Sequence, residues 1–232
     1  MPASADKVCV TGPPQSGKTY RLVETYVESL REEPFKRRAF IVPNTSQRDY
    51  LRTVVVDQGG LAALPEDEIV TLAEFLYRLA GEAGLLTGRR MARVEESLFL
   101  LEMLGQIPSA AKLKLPPSLA TARHFLKGIE AMRHAGLFLS LMERKQPAPI
   151  SDEVSSLLLA LARDYYAEMS TRFDGLAGQE RAVHALENAA PEILDALPEV
   201  ILVDGFYDLY PLYQRAIAAL SKHCLLYTSR AH

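Results

Sequence analysis

Gly12, Gly17, Lys18 and Thr19 stand at the spacing G-x-x-x-x-G-K-[ST] within VCVTGPPQSGKTYRLV, residues 8–23. These residue types at this spacing suit a phosphate chain. The two glycines let the backbone curl tightly around an anion. Pro13 and Pro14 have no N–H, so the cradling donors must come from Gln15, Ser16, Gly17, Lys18 and Thr19. A helix opening at the end of the loop adds the positive end of its dipole. The Lys18 ammonium would reach the β- and γ-phosphates, and the Thr19 hydroxyl would bind Mg²⁺. The binding set is therefore Gly12, Gln15, Ser16, Gly17, Lys18 and Thr19. An ordinary glycine-rich turn is the plain alternative, but it leaves Lys18 and Thr19 unexplained.

A metal held with phosphates calls for a carboxylate. The candidate is Asp204, in EVILVDGFYDLYPLYQ (199–214), where it ends an aliphatic, β-branched run that reads as a strand. Thr19 and Asp204 are thus the expected metal ligands, and Lys18 and Asp204 the expected catalytic pair. The residue after Asp204 is Gly205, so no second carboxylate follows it directly. Asp208, four residues on, could serve as an outer-shell group. The alternative for Asp204 is a simple Asp-Gly turn.

These groups need a frame that brings chain ends together. KVCV (7–10), RAFIV (38–42) and EVILV (199–203) are short apolar runs that read as buried strands, and EIVT (68–71) is a possible further one. TYRLVETYVESLREE (19–33) puts Leu22, Val23, Tyr26, Val27 and Leu30 at helical spacing before Pro34. Strands alternating with helices predict a parallel sheet with covered faces. Between 88 and 190 the period is helical throughout, with no convincing strand. There Leu119, Ala122, Leu126 and Ile129 are expected on one helix face, and Val154, Leu158, Leu161 and Tyr165 on another. Ser151 is the expected N-cap of the second. The fold class is therefore α/β, a phosphate-loop NTPase core with an incomplete parallel sheet, plus an all-helical inserted domain. The core takes residues 1–87 and 191–223, the insert 88–190.

Composition narrows the class. The chain has 232 residues, 48% hydrophobic and 24% charged, with a formal net charge of −3, as in an ordinary globular protein. Two cysteines, Cys9 and Cys224, make neither a disulfide framework nor a metal-ligand spacing. No apolar run approaches ~20 residues and no secretory leader opens the chain, so no membrane partner and a cytoplasmic location are expected. Charge is uneven inside the insert: +5 over 88–145 and −4 over 146–190. Arg123 and Lys127, one turn apart, share a face that could track nucleic-acid phosphates; a solvated helix face explains them equally.

Taken together, the Gly12–Thr19 loop and VDGFYDLYPLYQRAI resemble the first motor domain of UvrD-like, superfamily-1 helicases. The likeness extends to FIVPNTSQRDYLRTVV (40–55) and IVTLAEFLYRLA (69–80). Within that group the chain is most similar to the B subunit of bacterial AddAB/RexAB helicase–nucleases. The resemblance spans residues 7–220 and is sharpest at the phosphate loop. It implies ATP and Mg²⁺ as cofactors, single-stranded DNA or a duplex end as a partner, and an active helicase–nuclease A subunit as heterodimer partner. It also implies DNA contacts from Asn44, Thr45, Arg48 and Thr71. Turn chemistry in PNTSQ and a capping box at Thr71–Glu74 account for the same residues without DNA. Active motors of this type carry Asp-Glu-x-Gln where this chain has Asp204-Gly205-Phe206-Tyr207. The resemblance therefore implies a DNA-holding scaffold with degenerate hydrolysis in double-strand-break repair. Two alternatives stand beside it: a working DNA-stimulated ATPase, and a small-molecule kinase using the same loop.

The last nine residues, CLLYTSRAH (224–232), follow abruptly on AIAALSKH, and their opening CLLYTS is what a transposase adapter used in DNA library preparation encodes in one reading frame. They are expected to be a non-native tail on a truncated gene. The sheet should then end after its fourth strand with an open pairing edge.

Overall fold

The computed structural model describes residues 7–12, 16–61, 63–65, 67–107, 115–136, 152–168, 172–223 and 225–231. Seven strands run in chain order: β1 Lys7–Gly12, β2 Arg38–Val42, β3 Ile69–Thr71, β4 Arg89–Arg90, β5 Arg172–Phe173, β6 Val200–Val203 and β7 Leu225–Ala231. The described helices are α1 Lys18–Glu32, α2 Thr45–Gly59, α3 Leu72–Glu82, α4 Arg93–Gln106, α5 Leu119–His134, α6 Glu153–Glu168, α7 Gly175–Glu187, α8 Pro191–Ala196 and α9 Pro211–Leu220. None of them is long and apolar enough to cross a membrane. The chain divides into two compact units. One holds 1–85, 181–209 and 213–232; the other holds 86–180 and 210–212.

In the first unit, five strands form a parallel sheet in the order β1-β7-β6-β2-β3. The aliphatic strands are the central ones. Every residue of β2 and of β6 is buried, as a parallel strand covered on both faces requires. One core cluster joins Leu22, Val23 and Tyr26 of α1 to Phe40 and Val42 of β2, Val55 of α2, Ile69 of β3 and Leu202 of β6. The helical spacing expected after the loop therefore faces the sheet, and α1 stops at Glu32, just ahead of Pro34.

One expectation about the sheet needs correcting. It does not end after four strands. Residues 225–231, read above as a tail, form β7 between β1 and β6, pairing Val8 with Tyr227 and Leu202 with Tyr227. Backbone pairing asks little of side-chain type, so a segment can fill a strand position that its composition does not advertise.

The second unit carries its own core: Leu100, Met103 and Leu104 of α4, Ala122, Phe125, Leu126 and Ile129 of α5, and Leu157, Leu161, Ala162 and Tyr165 of α6. Two expectations shift here. The face of α6 is built on Leu157, Leu161 and Tyr165, with Val154 exposed; Leu119 is likewise exposed at the start of α5. Leu161 and Tyr165 are in this core as expected and Leu158 packs partly buried against it, while Leu157 takes the place given to Val154, because the unbroken leucine–alanine run 157–162 satisfies more than one helical register. The insert is also not all-helical. The two-residue strands β4 and β5 pair in parallel, and the Met91 N–H continues the ladder to the Phe173 carbonyl at 2.8 Å. Pieces this short carry no periodic signal. Ser151 lies outside the described residues; Asp152 caps α6 instead, accepting from the Ser155 N–H at 2.9 Å.

Leu126, fully enclosed in this second core, reports on its packing. Leu126→Ala is expected to cost about 2–5 kcal/mol in urea unfolding, the transfer term plus the cavity left behind.

Candidate phosphate-binding site

The carboxyl ends of β1 and β6 are where the chemistry-bearing residues gather. In a parallel sheet that edge faces the amino ends of the following helices, and ligands bind there. Gly17 takes a left-handed conformation, φ 79°, as the residue before α1, and its carbonyl accepts the Arg21 N–H at 3.0 Å. A side chain is strained in that conformation, which is why glycine stands there. The turn sets Lys18 and Thr19 in the first turn of α1. Lys18 Nζ lies 3.4 Å from Ser16 Oγ.

Asp204 follows β6 directly and is only 6% exposed. Its N–H donates to the Ile41 carbonyl at 3.1 Å, so the β2–β6 ladder fixes its backbone. The Thr19 hydroxyl donates to Asp204 Oδ2 at 2.6 Å. Two groups 185 positions apart in sequence thus meet in one short, charge-assisted bond. A hydroxyl that gives its proton to a carboxylate turns its lone pairs outward. Hard oxygen donors of this kind, one hydroxyl and one carboxylate, suit Mg²⁺, which takes few protein ligands and completes its octahedron with waters and phosphate oxygens. The donor set therefore fits the metal expected from sequence. Among the described residues, no group of three or more His, Cys, Asp or Glu is placed to hold a metal by itself.

Of the other loop residues, Gly12 closes β1 and Ser16 is exposed, while Gln15 lies outside the described residues. Asp208, the possible outer-shell group, is exposed in the segment after β6.

Three of the residues expected at DNA, Asn44, Arg48 and Thr71, have local partners. Asn44 is the N-cap of α2, accepting the Gln47 N–H at 2.9 Å. Thr45 is exposed in the first turn of α2. Arg48 pairs with Glu74 at 2.7 Å and Asp49 at 3.0 Å. Thr71 is buried, and its hydroxyl and N–H both bond to Glu74 in a complete capping box. Asn44 and Thr71 thus serve as helix caps. Arg123 and Lys127 are exposed one turn apart on α5, in the second unit.

One residue at the sheet edge was not singled out from sequence. Gln47 packs its side-chain amide against Gly205, the residue after Asp204. A Cβ placed on Gly205 would lie 3.0 Å from Gln47 Oε1. Gly205 is itself left-handed, with φ 78°. The usable signal was Asn44 as an N-cap, which sets Gln47 in the first turn of α2, beside the end of β2. Gly205→Ala should therefore lose about 1–2 kcal/mol to the left-handed backbone, with more from the contact, measurable as a lowered denaturation midpoint.

A cavity of about 130 Å³ lies elsewhere, at the amino ends of β2, β3 and β6, lined by Arg38, Glu68, Phe75, Arg78 and Pro198 among others. It sits at the opposite end of the strands from Thr19 and Asp204. Its wall is built from buried structural contacts. Arg38 donates to Ser29 Oγ and to the Ser29 carbonyl, both at 2.8 Å, and the Tyr26 hydroxyl donates to Glu68 at 2.6 Å. Burial pushes the Glu68 carboxyl up, against the opposing pull of that hydroxyl and of Arg38.

Comparison with protein-family models and with curated proteins finds no match for this chain.

Proposed function

We propose that the chain is an ATP-binding, helicase-like P-loop module of a DNA double-strand-break repair helicase–nuclease, acting mainly as a DNA-holding scaffold. The observation that carries the nucleotide reading is the 2.6 Å bond between Thr19 and Asp204 beside the left-handed Gly17. A glycine-rich turn with no ligand has no use for a threonine hydroxyl aimed at a buried carboxylate from the far end of the chain. In this reading the Gly12–Thr19 loop wraps the phosphates, Lys18 neutralises their charge, and Thr19 with Asp204 holds the cation. Mg²⁺ held by Thr19 and Asp204 would supply positive charge to neutralise the phosphates.

Degenerate hydrolysis follows from Gly205. The position after Asp204 offers no proton acceptor, and Asp208 is exposed beyond it. The chain's residues can therefore bind and orient a triphosphate without activating water. The DNA and A-subunit parts of the proposal rest on the likeness to AddAB/RexAB B subunits, with the exposed Arg123 and Lys127 as the candidate phosphate-tracking pair.

The test is direct. Saturating Mg-ATP should raise the melting temperature, since a hundredfold excess over Kd adds about 2.7 kcal/mol. ATP turnover should stay at background with and without single-stranded DNA, while a labelled oligonucleotide binds and is released by salt. Absence of any nucleotide shift would overturn the nucleotide reading. DNA-stimulated turnover abolished by Lys18→Ala would replace the scaffold with a working motor. Turnover needing a small acceptor would make it a kinase.

A further inference from the structure

β7 comes last among the strands in chain order, yet it lies inside the sheet, between β1 and β6. It pairs with β1 over six positions, from Lys7–Leu226 to Gly12–Ala231, and with β6 over four, from Val200–Leu225 to Val203–Thr228. Both ladders are parallel. Among the described residues β7 is the strand neighbour of β1, which stands at the edge of the sheet. The bonds of both ladders run between backbone groups, so the path of a segment fills this slot more than its side chains do. A segment that composition reads as a tail occupies it here.

If β7 swings out, two edges open at once, that of β1 and that of β6. Unpaired edges are templates for pairing with another chain, and strand addition draws its affinity from main-chain hydrogen bonds. Residues 221–224 connect α9 to β7. The described part of this turn folds back on α9: the Ser221, Lys222 and His223 N–H groups donate to the carbonyls of Ile217, Ala219 and Leu220, each at 3.0 Å. None of the three residues is buried, so straightening the turn exchanges those bonds for bonds to water. A short turn that opens into an extended hinge is the route to strand exchange. The occupant that restores both ladders in register is the same strand from a second copy. We propose that the gap between β1 and β6 is a strand-acceptor site, and that two copies of this chain exchange β7 across it, each completing the other's sheet. The crossing point is 221–224, so the chain from Leu225 onward passes to the other copy. β1 leads into the Gly12–Thr19 loop and β6 into Asp204, so the exchanged strand lies between the two strands that carry each Thr19–Asp204 pair. The exchange does not rest on nucleotide being bound there.

The experiment uses the full chain carrying Cys9→Ser and Cys224→Ser, so that introduced thiols are the only ones. Val8 and Tyr227 are partners across β1 and β7. A Val8→Cys version and a Tyr227→Cys version are mixed, unfolded in urea, refolded together and treated with a short thiol–thiol crosslinker. Exchange sets the two thiols side by side on different chains. A two-chain product joining the unlike versions is therefore expected, and its share should grow with protein concentration by mass action. Neither version refolded alone should give it. The double variant, Val8→Cys with Tyr227→Cys, checks the register: at high dilution it should crosslink within one chain. Its failure to crosslink at any concentration overturns the placement of β7 and the exchange with it. Crosslinks within single chains of the double variant, with no unlike two-chain product at any concentration, overturn the exchange. So does a two-chain product formed equally by either single version alone. Should Val8→Cys fail to fold, Lys7→Cys with Leu226→Cys, the adjacent pair in the same register, decides by the same outcomes. All of these outcomes leave the nucleotide reading standing.

Discussion

Lys18→Ala is expected to weaken Mg-ATP binding about a hundredfold. Lys18 would contribute the one mobile full positive charge of the loop, and hydrogen bonds to charged groups are worth about 1.5–3 kcal/mol each. Two such bonds to the β- and γ-phosphates, at the low end of that range, amount to about two decades in Kd. The side chain is part-exposed at the start of α1, outside the core cluster beneath it, so its loss should leave the melting temperature of the ligand-free chain within a degree or two. Titration with a fluorescent nucleotide, beside a thermal melt, separates the two effects. A binding curve unchanged by the substitution would detach Lys18 from the phosphates. Thr19→Val should have a different signature: weaker binding only when Mg²⁺ is present, because the hydroxyl acts through the cation.

Arg133→Met should produce the largest loss of stability, about 3–5 kcal/mol, the range expected when one partner of a buried ion pair is removed. Arg133 is 3% exposed in the second unit. Its guanidinium donates to Asp174 at 2.5 and 3.2 Å and to Glu180 at 2.6 and 3.1 Å. Asp174 also accepts from the Tyr165 hydroxyl at 2.7 Å and the Ala177 N–H at 2.6 Å. Removing the cation strands Asp174 inside the fold, while Glu180 has an outlet to solvent. The desolvation cost then exceeds what hydrogen bonds to neutral donors recover. Urea unfolding of the variant measures it; a change within about 0.5 kcal/mol would place the network outside the stability of this unit.

The same network sets an acid limb. Burial by itself pushes the Asp174 carboxyl up, but the charge of Arg133 and the bonds from Arg133, Tyr165 and Ala177 outweigh it and hold the group below its ordinary value. A carboxyl lowered on folding adds stability that is complete above the unfolded value, about 3.9. That stability disappears as pH falls through the folded value. Glu96 behaves in the opposite sense: burial and the neighbouring charge of Asp174 push it up, so its protonation favours the folded form as pH falls. Arg133→Met should therefore flatten the loss of stability below about pH 4, because Asp174 without its cation is no longer held down. An acid limb as steep in the variant as in the wild type would contradict the assignment of that limb to this pair.

Local signals survived folding well. The glycine spacing placed a left-handed Gly17 at the head of α1, because only glycine accepts that backbone without strain. The T-x-x-E spacing at Thr71 is a complete capping box. β2 and β6 were legible because strands buried on both faces read as near-continuous apolar runs, AFIV in β2 after Arg38 and VILV in β6. Signals without a period did not survive. β4 and β5 have two residues each, and β7 pairs with β1 and β6 at an interior place in the sheet. Composition carries no record of either.

What the amino-acid sequence determined by itself was the set of groups: a lysine and a threonine after a glycine turn, an aspartate after a strand, and glycine where a second acid could have stood. It also determined that helix and strand alternate around them, since period and capping are properties of near neighbours. Only the tertiary structure decided that Thr19 and Asp204 touch, because that contact depends on the order in which parallel strands lie side by side. It alone put Gln47 against Gly205. Strand order is chosen by packing across the whole sheet, and a linear chain does not write down which distant edges will meet.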